Sequence, residues 1–407
     1  MRFLLTLVLA ASALAQSAPQ THPSHTTESL RGASAVSQQI AWASGTHGTY
    51  LRTTDAGRTW VPAQVPGAEA LDFRAVVAFS ADEAFLMSAG PGDQSRIYHT
   101  ADAGQHWQLQ FTNTNPKGFF DSMVFWNPTH GLVLGDPIPD EAGTPKFELL
   151  LTTDGQTWTP IPSAQLPPAL AGEGAFAASN SCLAILPKLV IPSEARDPGL
   201  PNATKAADTS ATSPAQPSKG DASAPRKLGE EGGASAPEIA DLNIWFATGG
   251  GAARVFHSSD RGRTWEAFDT PILHGPDSAG IFSIAFRDPL HGVIAGGDYK
   301  LPEQHGPNLA FTTDGGKTWA LSQIYPQSYY SAVAYDRRSN DRRGNDGRDN
   351  VRLFIAGPKF LYDFRPPQNP TRISPPKKSG IQFNAVSPYP TGGALFVGPN
   401  GSIAIIP

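Results

Sequence analysis

With a single cysteine, this chain cannot form an internal disulfide, so its stability has to come from packing. Cys182 sits in the apolar phrase "AASNSCLAIL" with no histidine nearby, and reads as a small buried hydrophobe rather than a nucleophile. Charge is scarce as well. Only 16% of residues are charged and the formal net charge is −5, which leaves no basic stripe to meet a nucleic-acid backbone. After the first fifteen residues no apolar run is long enough to cross a bilayer. Helix signals are nearly absent. No glycine fingerprint stands between a strand and a helix, and "GGGAARVF" (249–256) reads as a turn between strands, so dinucleotide chemistry has no visible seat.

Turn formers are abundant instead, with Gly 40 and Pro 38. They frame a repeated phrase: "TTDAGRTW" (53–60), "TADAGQHW" (100–107), "SSDRGRTW" (258–265), "TTDGGKTW" (312–319) and the shorter "TTDGQTW" (152–158). Its aspartates, Asp55, Asp102, Asp154, Asp260 and Asp314, recur at a period of about 50 residues, with one gap about twice as long. That gap contains 188–240, a stretch rich in Pro, Ala, Ser, Gly and charge that has no aromatic residue. Such a composition cannot bury enough apolar surface to offset its ordering entropy, so it is expected to be a disordered insertion. A second polar insertion is expected at 336–350.

Each phrase lies between short apolar stretches. "RAVVAF", "DSMVFW", "FSIAF" or "SAVAY" comes first, then "AFLMSAG", "GLVLGD" or "GVIAGGD", then a stretch entering the phrase, such as "RIYHT" or "LAFTT". Four short strands at this period predict an all-β chain, a β-propeller, most simply of seven four-stranded blades, with six or eight left open. First strands are expected near Gly32, Arg74, Asp121, Ala175, Phe282, Ser331 and Asn384.

Arg2 and the apolar run ending in Ala13-Leu14-Ala15 predict a signal peptide over 1–15, and thus export to the periplasm or beyond. No cysteine follows to carry a lipid anchor. Residues 16–27 are expected to be flexible, and the propeller to run from 28 to 407, as a monomer.

In the repeated phrase the Asp carboxylate can accept N–H bonds two or three residues ahead. Gly57, Gly104, Gly262 and Gly316 supply positive φ, and Trp60, Trp107, Trp158, Trp265 and Trp319 turn back to pack between blades. Blades are spread radially, so these carboxylates are read as architecture rather than chemistry. The phrases resemble the Asp-box (BNR) repeats of sialidase-like propellers. Together with "FDSMVFWNPTHGLVLGDP" (120–137), "GEGAFAASNS" (172–181), "ATGGGAARVFHSSDRGRTW" (247–265) and "AGIFSIAFRDPLHGVIAGGDY" (279–299), they make residues 28–407 similar to the exported photosystem II stability/assembly factor family. That resemblance implies protein–protein assembly work.

If the phrases close the hairpins between third and fourth strands, the opposite face is where a ligand meets converging groups. There the sequence offers Arg74, Asp121 and Glu173 at or before first strands. It adds Asp136, Arg254, Asp298 and Tyr299 in loops between second and third strands, and Tyr329 and Tyr330 entering the sixth blade. Two readings follow besides mutual pairing of these charges. One is a non-enzymatic channel face binding a protein or another macromolecule of the cell envelope. The other is a glycan-active hydrolase drawing on Asp121, Glu173, Asp136 or Asp298. A sialidase lacks its Phe-Arg-Ile-Pro start and its three-arginine set here. His130 and His291 occupy equivalent turns on different blades, so no metal site and no cofactor are expected.

Overall fold

The computed structural model describes residues 19–187, 242–322, 329–337, 351–358, 361–364, 371–373 and 382–407. The predicted signal peptide, the 188–240 insertion and all but the first two residues of the 336–350 insertion lie outside them. Every described residue belongs to one compact unit.

Strand follows strand. The first sheet runs Leu30–Ala35, Ala41–Gly45, Thr49–Thr53 and Val61–Gln64; the second, Phe73–Ala78, Ala84–Ser88, Arg96–Thr100 and Gln108–Thr112. The third is Phe120–Asn127, His130–Pro139, Pro145–Thr152 and Thr159–Pro160, and the fourth Leu183–Pro187, Leu242–Ala247, Arg254–Ser258 and Glu266–Asp269. The fifth holds Ala279–Phe286, Gly292–Asp298, Leu309–Thr312 and Ala320–Leu321, and the sixth Ala332–Tyr335, Leu353–Ala356, Leu361–Phe364 and Thr371–Ile373. The last joins Ala385–Pro388, Ala394–Gly398 and Ser402–Ile406 to Gln20–Thr21 from the other end of the chain. All described pairings are antiparallel, and the fold is an all-β propeller.

Burial explains the pattern of apolar residues. Second strands such as Ala84–Ser88, Leu242–Ala247 and Leu353–Ala356 are buried along their whole length. A neighbouring sheet covers each of their faces, so they read as continuous apolar runs rather than as an alternation. Fourth strands lie at the rim and are largely exposed, as in Val61–Gln64 and Glu266–Asp269. Core clusters join consecutive sheets. Trp42, Tyr50 and Phe73 link the first to the second, Phe147, Phe246 and Phe256 the third to the fourth, and Leu30, Trp60 and Leu395 the last to the first. The last of these closes the ring.

Three sequence expectations need correction. Gln20 and Thr21, expected in a flexible segment, pair with Ile405 and Ala404 as the outer strand of the last sheet. The N–H groups and carbonyls of the C-terminal strand would otherwise form an open edge. Ala175 does not begin the fourth sheet; its first strand starts at Leu183, paired with Phe246. Glu173–Gly174 instead pairs with Gly249–Gly250, which continues onto the inner edge of the fifth sheet; among the described residues that sheet has six strands and each of the others four. Finally, Asp336, expected in a polar insertion, is buried against Arg352 at 3.1 Å.

Each of the five repeated phrases closes a hairpin between third and fourth strands. In the first, the Thr53 hydroxyl donates to Asp55 Oδ1 at 2.8 Å and accepts the Gly57 N–H at 3.1 Å. Asp55 also accepts the Thr59 N–H (2.9 Å) and hydroxyl (2.6 Å). The acceptor therefore reaches four residues ahead, one more than expected. Two consecutive residues with positive φ, Ala56 at 62° and Gly57 at 78°, lengthen the turn. The phrase at 152–158 lacks one of them, and there Asp154 takes the N–H groups two and three residues on, at 2.8 and 2.7 Å. The Thr59 hydroxyl and N–H hold Asp55 at a pKa of about 2, and the N–H groups of Thr157 and Gln156 do the same for Asp154. These carboxylates are spent on turns.

Candidate functional site

Antiparallel pairing places the starts of first strands at the opposite end from the hairpins just described. In four first strands the ladder slips by one residue, between Leu30 and Gly32, Phe73 and Ala75, Phe120 and Ser122, and Ile281 and Ser283. The residues skipped are Arg31, Arg74, Asp121 and Phe282. A bulged residue leaves the ladder and its side chain is re-aimed. All four line one cavity of about 520 Å³. Ser331 and Asn384, at the same position ahead of the sixth and last sheets, line it too. Phe119, Asp136, Ala175–Ala178, Tyr299 and Tyr329 complete the wall.

One side of the cavity is cationic. Arg74 is held by Asp72 (Nε to Oδ2, 2.8 Å) and donates to the Ala177 carbonyl at 3.0 Å. Arg31 has no such anchor: its Nε is buried and meets no hydrogen-bond partner. Burial, with Arg74 close by, pushes the Arg31 guanidinium below its ordinary pKa. The wall beside it is acidic. Asp121 is 1% exposed and its Oδ2 has no partner. Burial, reinforced by the neighbouring Asp136 carboxyl, drives the Asp121 pKa well up, against the pull of Arg74 and the Ala177 N–H. Asp136 is also raised by burial, although its Oδ1 accepts the Ala175 N–H at 2.9 Å. Asp121 is therefore the natural resting place of a proton.

The remainder of the wall is largely aromatic. Phe176 stacks on Phe282 with centroids 4.0 Å apart, Tyr329 meets Phe282 edge-on at 4.7 Å, and Tyr299, half exposed, does so at 6.1 Å.

The structure thus gathers Arg74, Asp121, Asp136, Tyr299 and Tyr329 from the sequence candidates. It does not bring in Glu173, Arg254, Asp298 or Tyr330. Arg254 grips Glu173 through Nη2 to Oε2 (2.5 Å) and Nε to Oε1 (2.9 Å). Thr248 and the Leu170 N–H complete the Glu173 shell at 2.6 and 2.8 Å. With no free lone pair to offer, Glu173 is a structural anchor. Asp298 accepts the Lys300 N–H at 2.8 Å and shapes a turn, and Tyr330, 1% exposed, packs in the core between the fifth and sixth sheets. Sequence reasoning missed Arg31 and Phe176, and it placed Phe282, Ser331 and Asn384 at first-strand starts without singling them out as site residues. A signal for most of them existed: a large apolar residue, the lining residue, then a small residue, as in Leu30-Arg31-Gly32, Phe73-Arg74-Ala75, Phe120-Asp121-Ser122, Ile281-Phe282-Ser283, Tyr330-Ser331-Ala332 and Phe383-Asn384-Ala385.

Among the described residues no group of three or more His, Cys, Asp or Glu is placed to hold a metal ion, and no helix is long and apolar enough to cross a membrane. No protein-family model and no curated protein matches the sequence. Solved structures do. A structure described as YCF48 bound to D1 peptide aligns over 97% of this chain and 98% of its own, at 13% identity and a TM-score of 0.57. The WD40 propeller domain of Doa1 aligns over 96% of both chains at 10% identity, TM-score 0.54. The GH74 xyloglucanase from Xanthomonas campestris aligns over 95% of this chain and 53% of its own, at 14% identity, TM-score 0.52. What they share is the propeller. A peptide-bound protein, a WD40 domain and a glycoside hydrolase have it in common, so the likeness establishes fold and not role.

Proposed function

We propose that this chain is an exported, non-enzymatic, seven-bladed propeller built on Asp-box hairpins, and that it binds a protein or another envelope macromolecule through its channel face. On this reading the six-stranded sheet is an ordinary blade with Glu173–Gly174 and Gly249–Gly250 added at its inner edge. The observation that carries it is the convergence of Arg31, Arg74, Asp121, Phe282, Ser331 and Asn384 from six sheets on one mouth. The likeness in fold to YCF48 supports it, because that propeller was solved with a D1 peptide bound. Tagged wild-type protein is expected to retain a specific partner from a cell-envelope extract, and Arg31→Glu and Arg74→Glu to lose it. Retention by both folded variants would reject the channel face as the binding surface. Arg254, locked on Glu173, is not a probe for this purpose.

A glycan-active hydrolase is the second reading, favoured by Asp121 and Asp136 lining the same cavity and by the GH74 likeness. Geometry weighs against it. Asp121 and Asp136 stand beside each other on adjacent strands of one sheet, where Phe120 pairs with Gly135, so they approach a ligand from one side. Glycosidase carboxyls flank the scissile bond. Turnover of any polysaccharide in a glycan panel, lost in Asp121→Asn, would reverse the choice.

A further inference from the structure

Two groups at the cavity carry unmade hydrogen bonds of opposite kind. Arg31 Nε is a buried donor without an acceptor, and Asp121 Oδ2, on a carboxyl only 1% exposed, has no partner either. Native proteins rarely leave such groups unsatisfied unless something else supplies the contact. They also lie toward different ends: Arg31 faces Arg74, Asp72 and Tyr329, whereas Asp121 faces Asp136, Arg74 and the Cys182 thiol. Arg74 stands between.

A simple anion or cation would meet one of these two groups, while a molecule with separated charges would meet both. The volume of about 520 Å³ lies in the range of small-ligand sites. Phe176, Phe282 and Tyr329 add ring faces and edges to the same wall, the surface that an aromatic or large apolar group covers best.

We infer that the cavity takes a small zwitterion, an α-amino acid with an aromatic or large apolar side chain, its carboxylate toward Arg31 and Arg74 and its ammonium toward Asp121 and Asp136. Tyr299, half exposed, stands at the rim where the ligand enters. This site shares its cavity, with Arg31, Arg74, Asp121 and Phe282, with the channel face proposed above, and a small-molecule readout tests it apart from partner capture. An ammonium beside Asp121 favours the ionised carboxylate, so the proton that burial keeps there leaves on binding. Asp136, Arg74 and Cys182 are the titratable and charged groups that face Asp121; burial raises the Cys182 thiol, so the exchange belongs to the Asp121–Asp136 pair.

The test is calorimetry near neutral pH with L-phenylalanine, in two buffers of different ionisation heat. Glycine, N-acetyl-phenylalanine and phenylalaninamide serve as probes lacking the ring, the ammonium and the carboxylate. Phenylalanine is expected to bind with release of close to one proton, and each incomplete probe to bind at least tenfold more weakly. Arg31→Gln is expected to weaken phenylalanine at least tenfold. Asp121→Asn is expected to do the same and to abolish the proton release; should it fail to fold, the Arg31 variant and the blocked probes still decide. No binding of phenylalanine, tyrosine, tryptophan or leucine at millimolar concentration would overturn the inference. So would equal binding of the blocked probes. Partner capture from envelope extract is read separately, so either result can fail alone.

Discussion

Asp121 gives the sharpest test of the electrostatics. Its folded-state pKa is raised, so between the ordinary Asp value of about 4 and the raised value the folded chain holds a proton that the unfolded chain has released. Unfolding stability then falls as pH rises through that window, by up to about 1.4 kcal/mol per pH unit for one proton. Asp136, raised in the same direction, adds to the slope. The box aspartates act with the opposite sign: their depressed pKa values contribute stability above pH 4 that is lost as pH falls through about 2, so they are silent above pH 5. Burial lowers His22 and His257, and the Glu28 carboxylate raises His47, so each adds a pH dependence of its own. The comparison must therefore be between wild type and Asp121→Asn, in which these contributions cancel. Urea unfolding at half-unit steps from pH 5 to 8 is expected to show wild type losing stability relative to Asp121→Asn by about 1 kcal/mol per unit while Asp121 titrates. Parallel curves across the range would refute the claim that Asp121 is protonated in the folded protein.

Three further outcomes are expected. Arg254→Met leaves Glu173 buried and uncompensated and should cost about 3–5 kcal/mol in urea unfolding, whereas Arg254→Met with Glu173→Leu should recover most of it. Gly262→Ala meets nothing closer than 3.4 Å, so its cost of about 1–2 kcal/mol should come from φ = 79° alone; a neutral melt would show that the hairpin relaxes. Deleting residues up to Thr21 uncovers the edge of Ser402–Ile406, and light scattering should detect concentration-dependent association absent from the full chain.

The architecture was legible because the repeated phrase joins three local requirements in one place: a side-chain acceptor at Asp55, positive φ at Gly57 and a large ring at Trp60. All three act within a few residues, where sequence is informative. The closing strand at Gln20–Thr21 was not legible, since its partners Ile405 and Ala404 are at the other end of the chain and a two-residue strand carries no periodicity. The site was half legible. Arg74, Asp121 and Asp136 were found from charge at strand ends. Glu173 and Arg254 looked equally suitable, and only their mutual 2.5 Å bond reveals that they serve each other. Phe282 was overlooked because an aromatic residue in an apolar strand reads as core; the slipped register that turns it to the cavity is invisible in a linear pattern.

That slipped register has a wider consequence. The residues on either side of each skipped position are committed to packing: a bulky one before, as at Leu30 or Phe120, and a small one after, as at Gly32 or Ser122. The skipped residue itself owes nothing to the ladder, and here it is arginine twice, then aspartate and phenylalanine. Scaffold and specificity are thus written in separate letters of the same short word. A ring of this kind can be re-lettered around its mouth, one sheet at a time, to greet a different guest while the frame behind it stays the same.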